Sequence, residues 1–533
     1  MRLGEAVTRP RRPPLPRAWP NSSSRPAGHR AYGWASGPPA VLSLLERTPT
    51  ALFAGSFTRA SRAAAAGGLG IVVCLLIATT GVAASEPPRF VRASSPPGRT
   101  DANKSSFTPV ISADGHWVAF ASEASNLVPG DTNNHRDVFL RDLETRRITR
   151  VSVTGRGEQG NGDSYNPSLS ADGRYVVFDS FASNLVDGDG DGDGDGDDNG
   201  NGDDNGNGDV FLYDRDTATT TMISRGFDTH AGDGQSGFAT ISADGSTVAF
   251  ESTAHNLIAG VDAPLSQVFT WDRRSGIFDL ISRGWAGDAV GGGSGGVSIS
   301  ADGRYVAFAS ASDAVVPNDY NQARDVFVRD RRVGLTTRVS VNSVGGEGNA
   351  RSDGPSISAD GRYVAFESTS SNLLGLNPAA QDVPKVPREA DPGDLLEGGD
   401  HNIASDVFVH DMLTGRTTRV SVGSDGTEAV GDSYNGVTSG DGRWVAFVSD
   451  AANLVPGDTN SFREVFLHDN LTGATTRVCA GLGGVQCDQS STTPAIDRAG
   501  RRIVFASEAD NVLADDHTHA TGIFVRFTDP VQN

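Results

Sequence analysis

Pro355-Ser-Ile-Ser-Ala-Asp-Gly-Arg-Tyr-Val-Ala-Phe-Glu-Ser368 reads as a hairpin, with a strand over Pro355–Ser358, a turn at Asp360-Gly361, and a second strand over Tyr363–Ser368. Asp-Gly tolerates the positive φ that tight hairpin turns require. The same pair returns at Asp114, Asp172, Asp244, Asp302 and Asp441, and its register continues to Ala499-Gly500. Successive steps are 58, 72, 58, 58, 81 and 58 residues, so a 58-residue unit recurs and two copies carry insertions of 14 and 23 residues. A second phrase follows each turn, among them Asp137-Val-Phe-Leu140, Asp325-Val-Phe-Val328 and Gly522-Ile-Phe-Val525. Self-similarity at this period marks an array in which no unit buries its apolar surface alone.

Within one unit a long loop follows the hairpin. Asp406-Val-Phe-Val-His-Asp411 is then a third strand, Leu413-Thr-Gly415 a turn, and Thr417-Thr-Arg-Val-Ser-Val422 a fourth strand. β-Branched and aromatic residues dominate these runs, and helix-period stripes are absent. Apolar residues on both faces describe a blade packed between neighbours. The Arg-Val of the fourth strand recurs at Arg150, Arg338, Arg419 and Arg477, while the seventh unit ends short of its own copy. One period ahead of the first complete unit lies Arg92-Ala-Ser94, so Arg89-Phe-Val-Arg-Ala-Ser94 is expected to fill the vacant place. Joining the two ends closes a ring and removes exposed sheet edges. The expected fold is all-β, a seven-bladed β-propeller over residues 88–533 with four antiparallel strands per blade, closed by an N-terminal strand in the last blade.

Ser358–Phe366, Asn126-Leu-Val-Pro-Gly-Asp-Thr-Asn133 and Asp325-Val-Phe-Val-Arg-Asp330 resemble the TolB-type, WD-repeat-like propeller repeat of bacterial extracytoplasmic proteins. The likeness extends over every blade. It implies the propeller fold, a place outside the cytoplasm and service as an interaction platform. TolB itself has fewer blades and a separate N-terminal domain, so no role in the Tol envelope system is implied, and fold does not fix function.

Residues 1–64 are rich in Arg and Pro and show no periodicity. Residues 65–85 hold an uncharged run, Gly67–Ala84, with Arg59 and Arg62 ahead of it and Val82-Ala-Ala-Ser85 at its end. A cleaved signal peptide fits this pattern. An uncleaved anchor with an Arg-rich cytoplasmic tail fits it too, as does a true start downstream of Met1. Each reading puts the propeller in an extracytoplasmic place, periplasmic, secreted or cell-surface. Beyond Cys74 the chain has only Cys479 and Cys487, which read as a disulfide in an oxidising compartment or as two buried thiols.

Ten Arg and two Glu fall in the leader, so the remainder carries 35 basic and 64 acidic side chains, a formal charge of −29. That balance excludes nucleic acid and anionic lipid as partners; the membrane enters only through an N-terminal anchor. Both insertions lie between second and third strands, one at Asp187–Gly208 and one around Asn377–Gly399. In an up-and-down blade these loops share a face with the inter-blade connections, where functional loops are expected.

The same loops carry Asp-x-Asn-x-x-x-Asp/Glu at Asp131/Asn133/Asp137, Asp203/Asn205/Asp209, Asp319/Asn321/Asp325, Asp400/Asn402/Asp406 and Asp458/Asn460/Glu464. Alternating hard oxygens suit Ca²⁺, while Asp and Asn also close turns onto their own backbone. The Asp-Gly alternation at Asp187, Asp189, Asp191, Asp193 and Asp195 strengthens the calcium reading, because like charges so dense repel unless a cation neutralises them. The candidate Ca²⁺ ligands are therefore Asp187, Asp189, Asp191, Asp193, Asp195, Asp203, Asn205 and Asp209.

Catalytic signals are sparse. Gly292-Gly-Ser-Gly-Gly296 matches a nucleophile elbow around Ser294 but lacks its strand-to-helix setting. His517-Thr-His519 beside Asp515 and Asp516 has no second ligand cluster, and His410 and His468 read as packing residues. No catalytic residue is assigned. The expected function is a non-enzymatic platform for a protein or glycan, monomeric, with Ca²⁺-stabilised acidic loops. A secreted propeller hydrolase or lyase is the alternative, to be favoured if ionisable side chains converge at the channel mouth.

Overall fold

The computed structural model describes residues 89–528, apart from 97, 99–100, 187–206, 228–230, 262–264, 375–399, 401, 403, 482–483 and 515–518. Seven antiparallel four-stranded sheets follow one another along the chain as the blades of a β-propeller. Six are built from consecutive strands; the seventh takes Arg89–Arg92 as its outer strand. There Phe90 stands opposite Arg526 and Arg92 opposite Phe524, which is the expected closure. The disulfide alternative also holds, with Cys479 bonded to Cys487 on the connection between blades 6 and 7.

The repeated phrases explain the packing. The second and third strands of each blade place two phenylalanines opposite one another, as Phe366 and Phe408 do with ring centroids 5.9 Å apart. Burying such a ring contributes about 1.5–3 kcal/mol. Alternation along the strands sends neighbouring residues to opposite faces, so Ala119, Val138 and Leu140 of blade 1 meet Val176, Phe178 and Phe211 of blade 2. The Asp-Gly turn also locks blade to blade. Gly361 has φ +76°, and a Cβ there would stand 2.2 Å from the Tyr305 ring of the preceding blade. Glycine is thus required at this turn for its dihedral and for the close approach. The Arg after it forms a two-pronged ion pair with the end of the third strand, Arg362 to Asp411 at 2.9 and 2.8 Å.

Two boundaries differ from the sequence reading. In blade 5 the first strand is Ser352–Ile357 and so begins three residues before Pro355. The fourth strand is Arg416–Arg419, and Val422 instead bridges Glu428 across the following turn.

Candidate binding site at the channel mouth

First strands of adjacent blades approach one another all around the ring, which makes them the innermost strands. Each is kinked. Its pairing with the second strand slips after its second residue, as between Asp353 and Ser356. The third residue then has positive φ: Thr108 44°, Asn166 45°, Phe238 51°, Gly296 65°, Gly354 57°, Asn435 52° and Thr493 46°. Such a bulge re-aims the strand and is common beside functional sites. For Thr and Phe the conformation is strained by about 1–3 kcal/mol. Ser352 and Asp353 lie opposite Ser368 and Glu367, the end of the second strand that leads into the long loop. The kinks therefore ring the channel on its long-loop side.

Three acids hold these kinks across the seams between blades. Asp179 Oδ2 accepts the Phe238 N–H at 2.9 Å, Glu251 Oε1 the Gly296 N–H at 2.6 Å, and Glu367 Oε2 the Asn435 N–H at 3.1 Å. Asp353 bridges a fourth seam, ion-paired with Arg324 at 2.9 Å and accepting a hydrogen bond from Arg351 Nη2 at 2.5 Å. Blades 2, 3 and 5 thus present a half-ring of carboxylates along the seams from blade 2 to blade 6. Burial pushes Asp179 up to about 7. Burial also raises Glu251 and Glu367 above the ordinary carboxylate range. It pushes Asp353 the same way, but Arg351 and Arg324 outweigh it and leave that group lowered.

Sequence reading missed these acids, although a signal was present. Phe178-Asp179-Ser180, Phe250-Glu251-Ser252 and Phe366-Glu367-Ser368 put a carboxylate where other blades have Ala121, Ala309, Val448 and Ala506.

The candidate calcium ligands fare differently. Asp187, Asp189, Asp191, Asp193, Asp195, Asp203 and Asn205 lie outside the described residues. Asp209 opens the third strand of blade 2, buried, and accepts the Ser224 hydroxyl at 2.6 Å. In four other blades the same motif surrounds a guanidinium from the fourth strand. Arg150 reaches Asp137 at 3.2 Å, and Arg338 reaches Asp319 and Glu347, each at 2.9 Å. Arg477 reaches Glu464 at 2.6 Å. Asp400, Asp406 and Glu428 bring carboxylate oxygens within 4.8 Å of one another, the one such trio among the described residues. Arg419 Nη1 sits among them, 2.7 Å from Glu428 and 3.1 Å from Asp406. The motif's Asn closes a turn onto its own backbone, as Asn321 Oδ1 does with the Ala323 N–H at 2.8 Å.

Ser294 begins the inner strand of blade 4, buried, with its hydroxyl donating to Ser310 at 2.9 Å. This is the hydroxyl pair found at the same place in every blade, and no helix follows it. His410 and His468 are buried with Nδ1 on Thr417 and Thr475, both at 2.9 Å, which fits packing. His519 pairs with Asp510, while Asp515, Asp516 and His517 lie outside the described residues. No helix among the described residues is long and apolar enough to cross a membrane.

No family model matches the chain, and no curated protein matches it. Solved structures with a similar fold include TolB from Acinetobacter baumannii, at 17% identity and TM-score 0.32 over 59% of this chain and 54% of that one. This chain therefore spans about half of that protein's length. An oligogalacturonate lyase from Vibrio parahaemolyticus is 12% identical with TM-score 0.45, over 83% of this chain and 97% of that one. An acylaminoacyl peptidase from Pyrococcus horikoshii is 10% identical with TM-score 0.44, over 79% and 51%. Likenesses this remote carry nothing beyond the fold, and the chain is a β-propeller by its own seven four-stranded blades.

Proposed function

We propose that this propeller is an extracytoplasmic, non-enzymatic platform that receives a protein or glycan on its long-loop face. The observation that supports it is the carboxylate half-ring at the channel mouth, flanked on the same face by the exposed rings of Phe238, Trp285 and Tyr320. Large aromatics on a polar rim are the usual anchors of recognition surfaces. The disulfide accords with an oxidising compartment. A secreted hydrolase or lyase is the second reading, favoured by the convergence of acids and by Asp179 titrating near 7. Against it, the three seam acids already accept a backbone N–H of the next blade, so each has a structural task. The test is binding of the full chain to glycan arrays and to secreted and envelope proteins of its source. A saturable ligand is expected whose affinity drops about tenfold or more when Trp285 and Tyr320 are both replaced by Ser. Equal binding by that variant would move the site elsewhere, and turnover of a bound glycan would establish the enzyme.

Calcium in the blade 2 loop remains part of this proposal. Where Arg150, Arg338, Arg419 and Arg477 supply a cation to the motif, blade 2 has Met222 at the corresponding position. The adjoining Asp-Gly run offers oxygens for a hard cation instead. Calorimetry of the full chain should show Ca²⁺ heat at millimolar concentration that disappears when residues 188–202 are deleted. No heat, or heat unchanged by the deletion, removes the ion from the account.

A further inference from the structure

Phe238 is the anomaly of the inner ring. At the kink where other blades use Thr, Asn or Gly, blade 3 holds a phenylalanine at φ 51° that is 60% exposed. Neither strain nor exposure helps the fold, since Gly would relieve the first and a polar residue the second. Phe238 borders a cavity of about 340 Å³ between blades 2 and 3, within the size range of small-ligand sites. Phe181 lines the same cavity, its ring edge-on to Tyr165 with centroids 6.1 Å apart. Asp179 and Glu251 supply its charge, and no Lys or Arg among the described residues lines it.

Asp179 gives the second, independent sign. It is 7% exposed, and its Oδ2 is engaged by Asn166 Nδ2 at 2.9 Å and by the Phe238 N–H. Its Oδ1 is buried without a well-formed hydrogen bond among the described residues, although the Ala239 N–H lies near the carboxylate. A buried acceptor left this way is short of a donor, which a ligand can supply. The chemistry that satisfies such a lining is a cation with an organic body. Ring faces attract ammonium groups, carboxylates accept their N–H bonds, and the acidic surface draws cations in. An inorganic cation would gain little from the rings and would need more oxygens. Anionic sugars and phosphates are repelled.

We propose that this cavity binds an alkylammonium group, with Asp179 and Glu251 accepting its hydrogen bonds and Phe238 and Phe181 covering its alkyl body. The inference rests on the long-loop face being the binding surface and names the chemistry recognised there. The ammonium comes either from a free polyamine or from a lysine side chain of a bound chain, and the test separates the two.

The probes are n-butylammonium, spermidine and Nα-acetyl-lysine amide, with n-butanol as neutral control and CaCl₂ as inorganic competitor, titrated into the full chain at pH 8. The ammonium probes should bind at least about tenfold more tightly than butanol. Preference for spermidine indicates the free polyamine, and preference for the lysine amide indicates a partner's side chain. Asp179→Asn keeps the shape and should weaken binding about tenfold or more. Phe238→Gly should weaken binding while the melting temperature holds or rises, because glycine accepts the positive φ.

Affinity should also fall as pH drops through about 7, where Asp179 takes up a proton. Asp179 faces Asn166, the Phe238 and Ala239 N–H groups and Glu251; Glu251 faces the Gly296 N–H, Arg324 and Asp353. Equal binding of butanol and butylammonium, indifference to Asp179→Asn, or stoichiometric displacement by Ca²⁺ would overturn the proposal. If no ammonium binds while a Trp285- and Tyr320-dependent ligand still does, this inference falls and the platform stands.

Discussion

A chain that begins after Ser94 is expected to lose the propeller as a soluble, cooperatively melting unit. The strand removed is short, but it is the outer partner of Gly522–Phe527. The Ala93 N–H donates to the Ile523 carbonyl at 2.7 Å, and the Ile523 N–H to Ser94 Oγ at 2.9 Å. The Phe90 ring stands edge-on to Phe505 with centroids 6.3 Å apart, and Ala93 is fully buried. Arg92, buried, pairs with Asp101 at 2.8 Å and lies over the Phe524 ring. Lost apolar burial alone amounts to about 3–5 kcal/mol. The larger consequence is an exposed, apolar strand edge that templates association. Size-exclusion chromatography and a thermal melt decide the matter, since a monodisperse truncation melting like the intact chain would show that the ring does not depend on this closure.

Replacing Arg419 by Met, which copies the blade 2 residue at that position, should destabilise the fold by about 3–5 kcal/mol at pH 8, the usual effect of removing one partner of a buried ion pair. Asp400, Asp406 and Glu428 would then face one another without their guanidinium. The deficit should shrink on acidification. Burial already pushes Asp400 up to about 7 and raises Asp406, and losing Arg419 raises Asp406 further. Carboxyls whose folded pKa lies above the unfolded value favour the fold while protonated, and that contribution is lost as pH rises through the folded pKa. Denaturant melts at pH 5 and pH 8 should therefore converge for the variant and the parent at the lower pH. A gap that is constant or grows on acidification would contradict the role assigned to Arg419.

Much of the architecture was legible because the same sentence is written seven times. Period, blade count, strand order and closure follow from where Asp-Gly, Val-Phe and Arg-Val recur, and averaging over copies suppresses accidents at any one. The kinks escaped notice because only four of the seven, Asn166, Gly296, Gly354 and Asn435, use residues suited to positive φ, and they share no common residue. Thr108, Phe238 and Thr493 are poor choices for positive φ, and only tertiary pairing forces it on them. The channel acids were visible as Asp179, Glu251 and Glu367 inside apolar strands. They sit one to a blade, however, and only the ring brings them to one side of the channel mouth. The arginine clamp was hidden differently. Arg419 lies 13 residues from Asp406 and served as a register mark, so the motif's oxygens suggested a metal rather than the cation the chain itself provides.

The stitching at the mouth is uneven around the circle. Seams from blade 2 through blade 6 are sewn by Asp179, Glu251, Arg324 with Asp353, and Glu367. The seam between blades 1 and 2 is held instead by Arg136, whose N–H reaches Asp163 Oδ1 at 2.9 Å and whose guanidinium covers the Tyr165 ring, whereas Val448 and Ala506 put no carboxylate beside the two seams of blade 7. The orifice thus has an acidic arc, and the acid-free side adjoins blade 7, where the first and last strands meet. A cationic guest would therefore be drawn off-centre, toward the lip opposite the point of closure.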